Sequence, residues 1–69
     1  MGFKNMDFKG KDLAGMNFAG ADLRGKDFSG ANLTGATFKG ADLRGAKFEE
    51  AVLNGVNFSG ANLYEQEFE

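Results

Sequence analysis

The sequence predicts an all-β solenoid, a chain wound into a square coil that closes every twenty residues. Three observations carry that prediction. Every Phe and every Leu lies on one five-residue grid: Phe3, Phe8, Leu13, Phe18, Leu23, Phe28, Leu33, Phe38, Leu43, Phe48, Leu53, Phe58, Leu63 and Phe68. Gly stands two residues after most of these centres, from Gly10 to Gly60. A small residue stands two before many of them, as at Ala21, Ala31, Ala36, Ala41, Ala46, Ala51 and Ala61. A strict short period marks one local unit stacked along the chain.

The unit excludes the regular elements. In an α-helix five residues advance by roughly 500°, so the centres would form no apolar stripe. Gly at every fifth residue would cost about 1 kcal/mol each against Ala. In a straight strand an odd repeat throws successive centres to opposite faces. A short strand followed by a turn resolves both problems. The small residue and the centre share one face, and the polar residue between them, such as Asp22 or Asn32, points away. A β-turn beginning at the centre places Gly at its third position, where a type II turn needs positive φ. Glu50 and Glu65 stand where Gly is expected. Glu disfavours positive φ, so those two corners are predicted to depart from type II.

The number of sides follows from the alternation of centres. Three sides would mix Phe and Leu in each vertical column. Four sides give Phe8, Phe28, Phe48 and Phe68 one column and Phe18, Phe38 and Phe58 another. Leu13, Leu33 and Leu53 then form a third, and Phe3, Leu23, Leu43 and Leu63 the fourth. Like-on-like columns suit a close-packed interior. The expectation is about three and a half coils, over residues 1–69 as a single domain without a capping helix. Lys11 and Lys26 occupy small-residue positions and must reach out past the core.

The segments Ala21-Asp22-Leu23-Arg24-Gly25, Ala31-Asn32-Leu33-Thr34-Gly35, Ala41-Asp42-Leu43-Arg44-Gly45 and Ala61-Asn62-Leu63-Tyr64-Glu65 resemble the A-(D/N)-L-x-x signature of the pentapeptide repeat proteins. The resemblance covers essentially the whole chain. It implies a right-handed quadrilateral β-helix; the handedness comes from the family and not from the spacing. The family has no shared catalytic residues. Its best-understood members mimic duplex DNA and bind DNA gyrase, while others serve as interaction modules.

Composition narrows the function. There is no Cys and no His, so neither a disulfide nor a Cys–His metal site is expected. No cofactor is implied. Ser29 and Ser59 lie on turns with no base predicted beside them. No phosphate-loop motif occurs. A non-enzyme is expected. Net charge is −2, which points to no nucleic-acid partner. No apolar run approaches ~18 residues and no signal pattern begins the chain. No membrane association and a cytoplasmic location are expected.

Two surfaces are candidates for contact. Lys4, Arg24, Arg44 and Tyr64 share one corner of successive coils, beside Asp22, Asp42 and Asn62. The strip reads as a ladder of solvated ion pairs or as a contact strip for an anion or a partner. The second surface is the N-terminal end of the solenoid, with Met1, Phe3, Phe8, Leu13 and Phe18 in its first coil. An open solenoid end pairs with something. A two-fold homodimer through this end closes without forming fibres; the alternative is head-to-tail stacking of the basic end on the acidic end, which gives open filaments. The C-terminal segment, with Glu49, Glu50, Glu65, Glu67 and Glu69, is acidic and resists stacking.

The sequence therefore reads as a non-catalytic structural or protein-interaction module, self-associating through its N-terminal coil. One alternative is a DNA mimic that inhibits or protects DNA gyrase, a type II topoisomerase. Three and a half coils at ~4.8 Å span only about 17 Å, roughly five base-pair steps. A further alternative is a minimal or engineered repeat scaffold without a partner.

Overall fold

The structure is a computed structural model, and it describes residues 6–64. The chain is a β-helix built from isolated parallel bridges. Each bridge joins residues twenty apart: Asp12 to Asn32, Asn17 to Thr37, Asp22 to Asp42 and Asp27 to Lys47, then Asn32 to Val52, Thr37 to Asn57 and Asp42 to Asn62. Between Asp12 and Asn32 the chain turns at residues 14–15, 19–20, 24–25 and 29–30.

The five-residue unit accounts for each of its own main-chain N–H groups, as buried backbone must. The unit around Leu33 shows the rule. The Ala31 N–H donates to the Phe28 carbonyl at 3.0 Å and closes the preceding turn. The Asn32 N–H donates back to Lys11 at 2.9 Å, and the Leu33 N–H donates forward to Val52 at 2.8 Å. The Thr34 N–H donates to Oδ1 of Asn32 at 3.1 Å. The Gly35 N–H donates forward to Asn54 at 2.8 Å. The polar residue before most centres is thus the acceptor for a turn N–H that no neighbouring coil reaches. The same bond recurs from Lys9 to Asp7, from Ala19 to Asn17, from Ser29 to Asp27 and from Ser59 to Asn57. Thr37 serves through its hydroxyl. This is the Asx-turn and its Ser/Thr analogue, which explains why Asp, Asn and Thr dominate the position.

The Gly corners have φ between 69 and 74°, as a type II turn requires. Their pro-Cβ directions are open or in ordinary contact, as at Gly45 above Gly25 at 3.8 Å. Backbone conformation and not crowding therefore selects Gly. The Glu50 corner corrects the sequence expectation. Glu50 adopts φ 59°, and the Ala51 N–H still reaches the Phe48 carbonyl at 3.0 Å. The turn bond and the bridges on both flanks, Asp27 to Lys47 and Asn32 to Val52, hold the corner in register. Glu50 accepts a left-handed backbone costing about 1–2 kcal/mol. Glu65 lies outside the described residues.

Among the described residues the core forms the two expected Phe columns, while Phe3 and Phe68 lie outside the described residues. Phe8 stacks on Phe28 at 4.9 Å and Phe28 on Phe48 at 5.2 Å, with rings within 8° of parallel. Phe18, Phe38 and Phe58 form the second stack, at 5.0 and 5.5 Å. The two stacks meet edge to face, as between Phe28 and Phe38 at 5.5 Å and 82°. Both arrangements suit the ring quadrupole. Leu23, Leu33 and Leu43 are fully buried between them. Lys11 is exposed, as its position demands. Lys26 is half-buried and its amine donates to the Met6 carbonyl at 3.4 Å.

Candidate interaction surface

The turn geometry places the residue after each centre at a corner, with its side chain outward. It also puts the polar residue before the centre within reach of it. Arg24 and Asp22 are related in this way. Nε of Arg24 donates to Oδ1 of Asp22 at 2.8 Å, and Nη2 donates to Oδ2 at 2.9 Å. Arg44 grips Asp42 in the same two-pronged manner, at 2.8 and 2.6 Å. Nε of Arg24 also lies 3.8 Å from Oδ2 of Asp42 in the next coil. The expected strip is thus a ladder of solvated pairs. The Arg24 hydrogen bonds hold the Asp22 carboxyl down to about 2. Arg44 lowers Asp42 likewise, and both guanidiniums are raised by their carboxylates. Tyr64 ends the column and is 70% exposed. Lys4 lies outside the described residues.

Of the residues expected at the N-terminal interface, Met1 and Phe3 lie outside the described residues. Phe8 and Phe18 are buried, and Leu13 is half-buried. The open feature of this end is its backbone. Among the described residues the main-chain N–H and C=O of Asp12 and Asn17 have no main-chain partner, because both face away from the next coil.

A third surface was not anticipated. An open groove is lined by Lys9, Asp27, Ser29, Lys47, Glu49 and Glu50. The register builds it: Lys9, Ser29 and Glu49 share one column, and Asp27 lies under Lys47. Asp27 is committed to Ser29, whose hydroxyl and N–H both bond its carboxylate and lower its pKa. Lys9 and Lys47 lower it further through space. Neither amine lies within ion-pairing distance of a carboxylate among the described residues, and the same is true of Glu49 and Glu50. Repeat rules also fail here. Lys47 replaces the acceptor that would cap the Glu49 N–H, and Glu50 replaces Gly. A twenty-residue alignment of the sequence against itself brings these departures to one corner.

The model of the pentapeptide repeats family matches eight copies, over residues 3–35, 12–49 and 31–65. The chain belongs to the pentapeptide repeat family. Among solved structures it is similar to a pentapeptide repeat protein from the Arabidopsis thaliana thylakoid lumen. That match has 39% identity, covers 86% of this chain and 48% of that one, and has a TM-score of 0.47. It is also similar to the pentapeptide repeat protein Rfr23 from the cyanobacterium Cyanothece 51142. Here identity is 34%, coverage 77% and 40%, and the TM-score 0.45. A pentapeptide repeat protein from Nostoc is 24% identical, with 84% and 76% covered and a TM-score of 0.38. The chain thus spans about half the length of the first two structures. No curated protein matches. In the A-(D/N)-L units the polar residue bonds a turn N–H and the Leu is buried, as at Asn32 and Leu33. Among the described residues, no cluster of metal-ligating side chains occurs and no helix is long and apolar enough to cross a membrane.

Proposed function

We propose that the chain is a non-catalytic structural or protein-interaction module built as a right-handed quadrilateral β-helix of about three and a half coils. Four turns within each twenty-residue bridge interval support the quadrilateral section. The module associates as a homodimer through its N-terminal coil, at Met1, Phe3, Phe8, Leu13 and Phe18. The observation that carries this reading is the open strand edge at Asp12 and Asn17. An unpaired row of N–H and C=O groups recruits another strand. A two-fold pairing satisfies both rows at once and ends the assembly. Phe8 and Phe18 are buried directly behind that edge.

Sedimentation equilibrium over a wide concentration range tests the proposal. A discrete dimer is expected, and Phe3→Asp should dissociate it. A chain that stays monomeric at every concentration, or a Phe3→Asp variant that stays dimeric, overturns it. The duplex-mimic reading gains no support from the surface. Asp22 and Asp42 are neutralised by their own arginines and present no continuous row of negative charge.

A further inference from the structure

The charged columns divide into two kinds. Asp22, Arg24, Asp42 and Arg44 satisfy one another. Around the groove, Lys9, Lys47, Glu49 and Glu50 have no ion pair among the described residues, although they border one concavity. Unpaired charges of both signs along a groove are free to meet a ligand of the opposite pattern. We propose that this groove binds an extended protein segment that carries a carboxylate side chain and a Lys or Arg three residues apart. The inference deepens the interaction-module reading by assigning it a contact site.

The geometry sets the pattern. Lys9 and Glu49 stand two coils apart in one column. The neighbouring Phe8–Phe28–Phe48 stack advances 4.9 and then 5.2 Å over the same two steps. The cationic and anionic ends are therefore about 10 Å apart, which a chain in the extended polyproline II conformation covers in about three residues, with side chains three apart on one face. A free amino acid, with its charges on one carbon, cannot span that distance. A polyphosphate backbone would meet Lys9 favourably and then run onto Glu49 and Glu50. The segment's carboxylate faces Lys9, and its cation lies between Glu49 and Glu50. The Lys47 amine is left to donate to a segment carbonyl. Asp27 is held by Ser29 and shapes the floor. The residues whose types depart from the repeat, Lys47 and Glu50, are among those that face this segment.

The probe is an acetylated, amidated hexapeptide of sequence Gly-Asp-Ser-Gly-Arg-Gly, with the uncharged Gly-Asn-Ser-Gly-Gln-Gly as its control. Amide shifts of the full chain are followed by NMR while each peptide is titrated to millimolar concentration. Shifts should centre on Lys9, Ser29, Gly30 and residues 47–50. The charged peptide should bind about fivefold more tightly, as expected for two exposed charge pairs. The double variant Lys9→Gln with Glu49→Gln, checked for unchanged circular dichroism, should lose most of that preference. No saturable shift, shifts scattered over other faces, equal affinity for the two peptides, or a preference that survives the double variant each overturn the proposal. Sedimentation of the same samples separates the two claims. Charge-dependent peptide binding by a monomer sinks the dimer and keeps the groove; a dimer indifferent to the peptides does the reverse.

Discussion

The middle of the solenoid and its last described stretch are built from the same five-residue unit, yet they behave differently. Between Phe28 and Phe48 every centre is fully buried, and so are Ala31, Ala36, Ala41 and Ala46. Between residues 51 and 64 the centres Leu53, Phe58 and Leu63 are only half-buried, as are Ala51, Val56 and Ala61. Turn closure does not follow that gradient. Val56 and Ala61 close their turns on Leu53 and Phe58 at 3.2 and 3.0 Å, much as Ala36 and Ala41 do. The unit's conformation is therefore local, supplied by its Gly and its Asp or Asn. Its burial is lent by the coils on either side.

The largest effect expected from this contrast is in the Phe columns. Phe38→Ala should cost about 3–5 kcal/mol, since it removes a ring packed on Phe18, Phe58 and two edge-to-face neighbours. Phe58→Ala should cost at least about 1 kcal/mol less, because its ring already meets solvent. Urea unfolding followed by circular dichroism gives both values. Equal costs would mean that the last stretch is as well covered as the middle.

The corner column Gly10, Gly30 and Glu50 sharpens the comparison at the level of backbone. Gly30→Ala should destabilise by about 1–2 kcal/mol, because a left-handed residue acquires a Cβ. Glu50→Gly should stabilise by about 1 kcal/mol by relieving that strain. The crossed outcome, with Glu50→Gly destabilising, would show that the Glu50 side chain contributes more than its backbone costs.

Turn capping comes next. Asn32→Ala removes the acceptor for the N–H and the hydroxyl of Thr34, at 3.1 and 2.6 Å, and should cost about 1 kcal/mol. Val52 sits one coil above it, is 43% exposed, and has no acceptor to offer the Asn54 N–H. Val52→Asn should therefore gain up to about 0.5 kcal/mol. A loss at Val52→Asn would indicate that β-branching matters more to the bridge with Asn32 than the cap does.

The sequence made the columns legible because a five-residue period admits few windings, and Phe alternating with Leu selects one that repeats after twenty. The Gly corners were legible for the same reason, since only positive φ demands Gly at that place. Glu50 was misread: its residue type opposes the conformation, but the ladder and turn bond on either side leave it no alternative. The bonding role of Asp and Asn was hidden, because a polar residue facing out looks like simple solvation. The groove was hidden more deeply. The twenty-residue register aligns Lys9 with Glu49 and Asp27 with Lys47, but it does not tell which of these charges lack a partner. The strip of Arg24 and Arg44 was visible, but its internal pairing with Asp22 and Asp42 depends on rotamers that no spacing rule supplies.

The smallest effect lies in that strip, and it separates the first coils from the last. Asp22 and Asp42 carry arginines at their corners, whereas Asn62 and Tyr64 end the same column without charge. The Asp22 carboxyl, held by Arg24, should titrate near pH 2 and not at the ordinary 3.8. Its folded pKa lies below its unfolded one, so its contribution to stability is complete above about pH 4. That contribution fades as the pH falls towards 2 and the folded carboxyl takes up its proton. Asp42, lowered by Arg44, acts in the same direction. Carboxyl-carbon NMR over pH 1.5–6 gives the midpoint directly, and Arg24→Gln should return Asp22 towards 3.8. A midpoint that stays low in Arg24→Gln would assign the depression to the main-chain N–H of residue 24, at 3.4 Å, and not to the guanidinium.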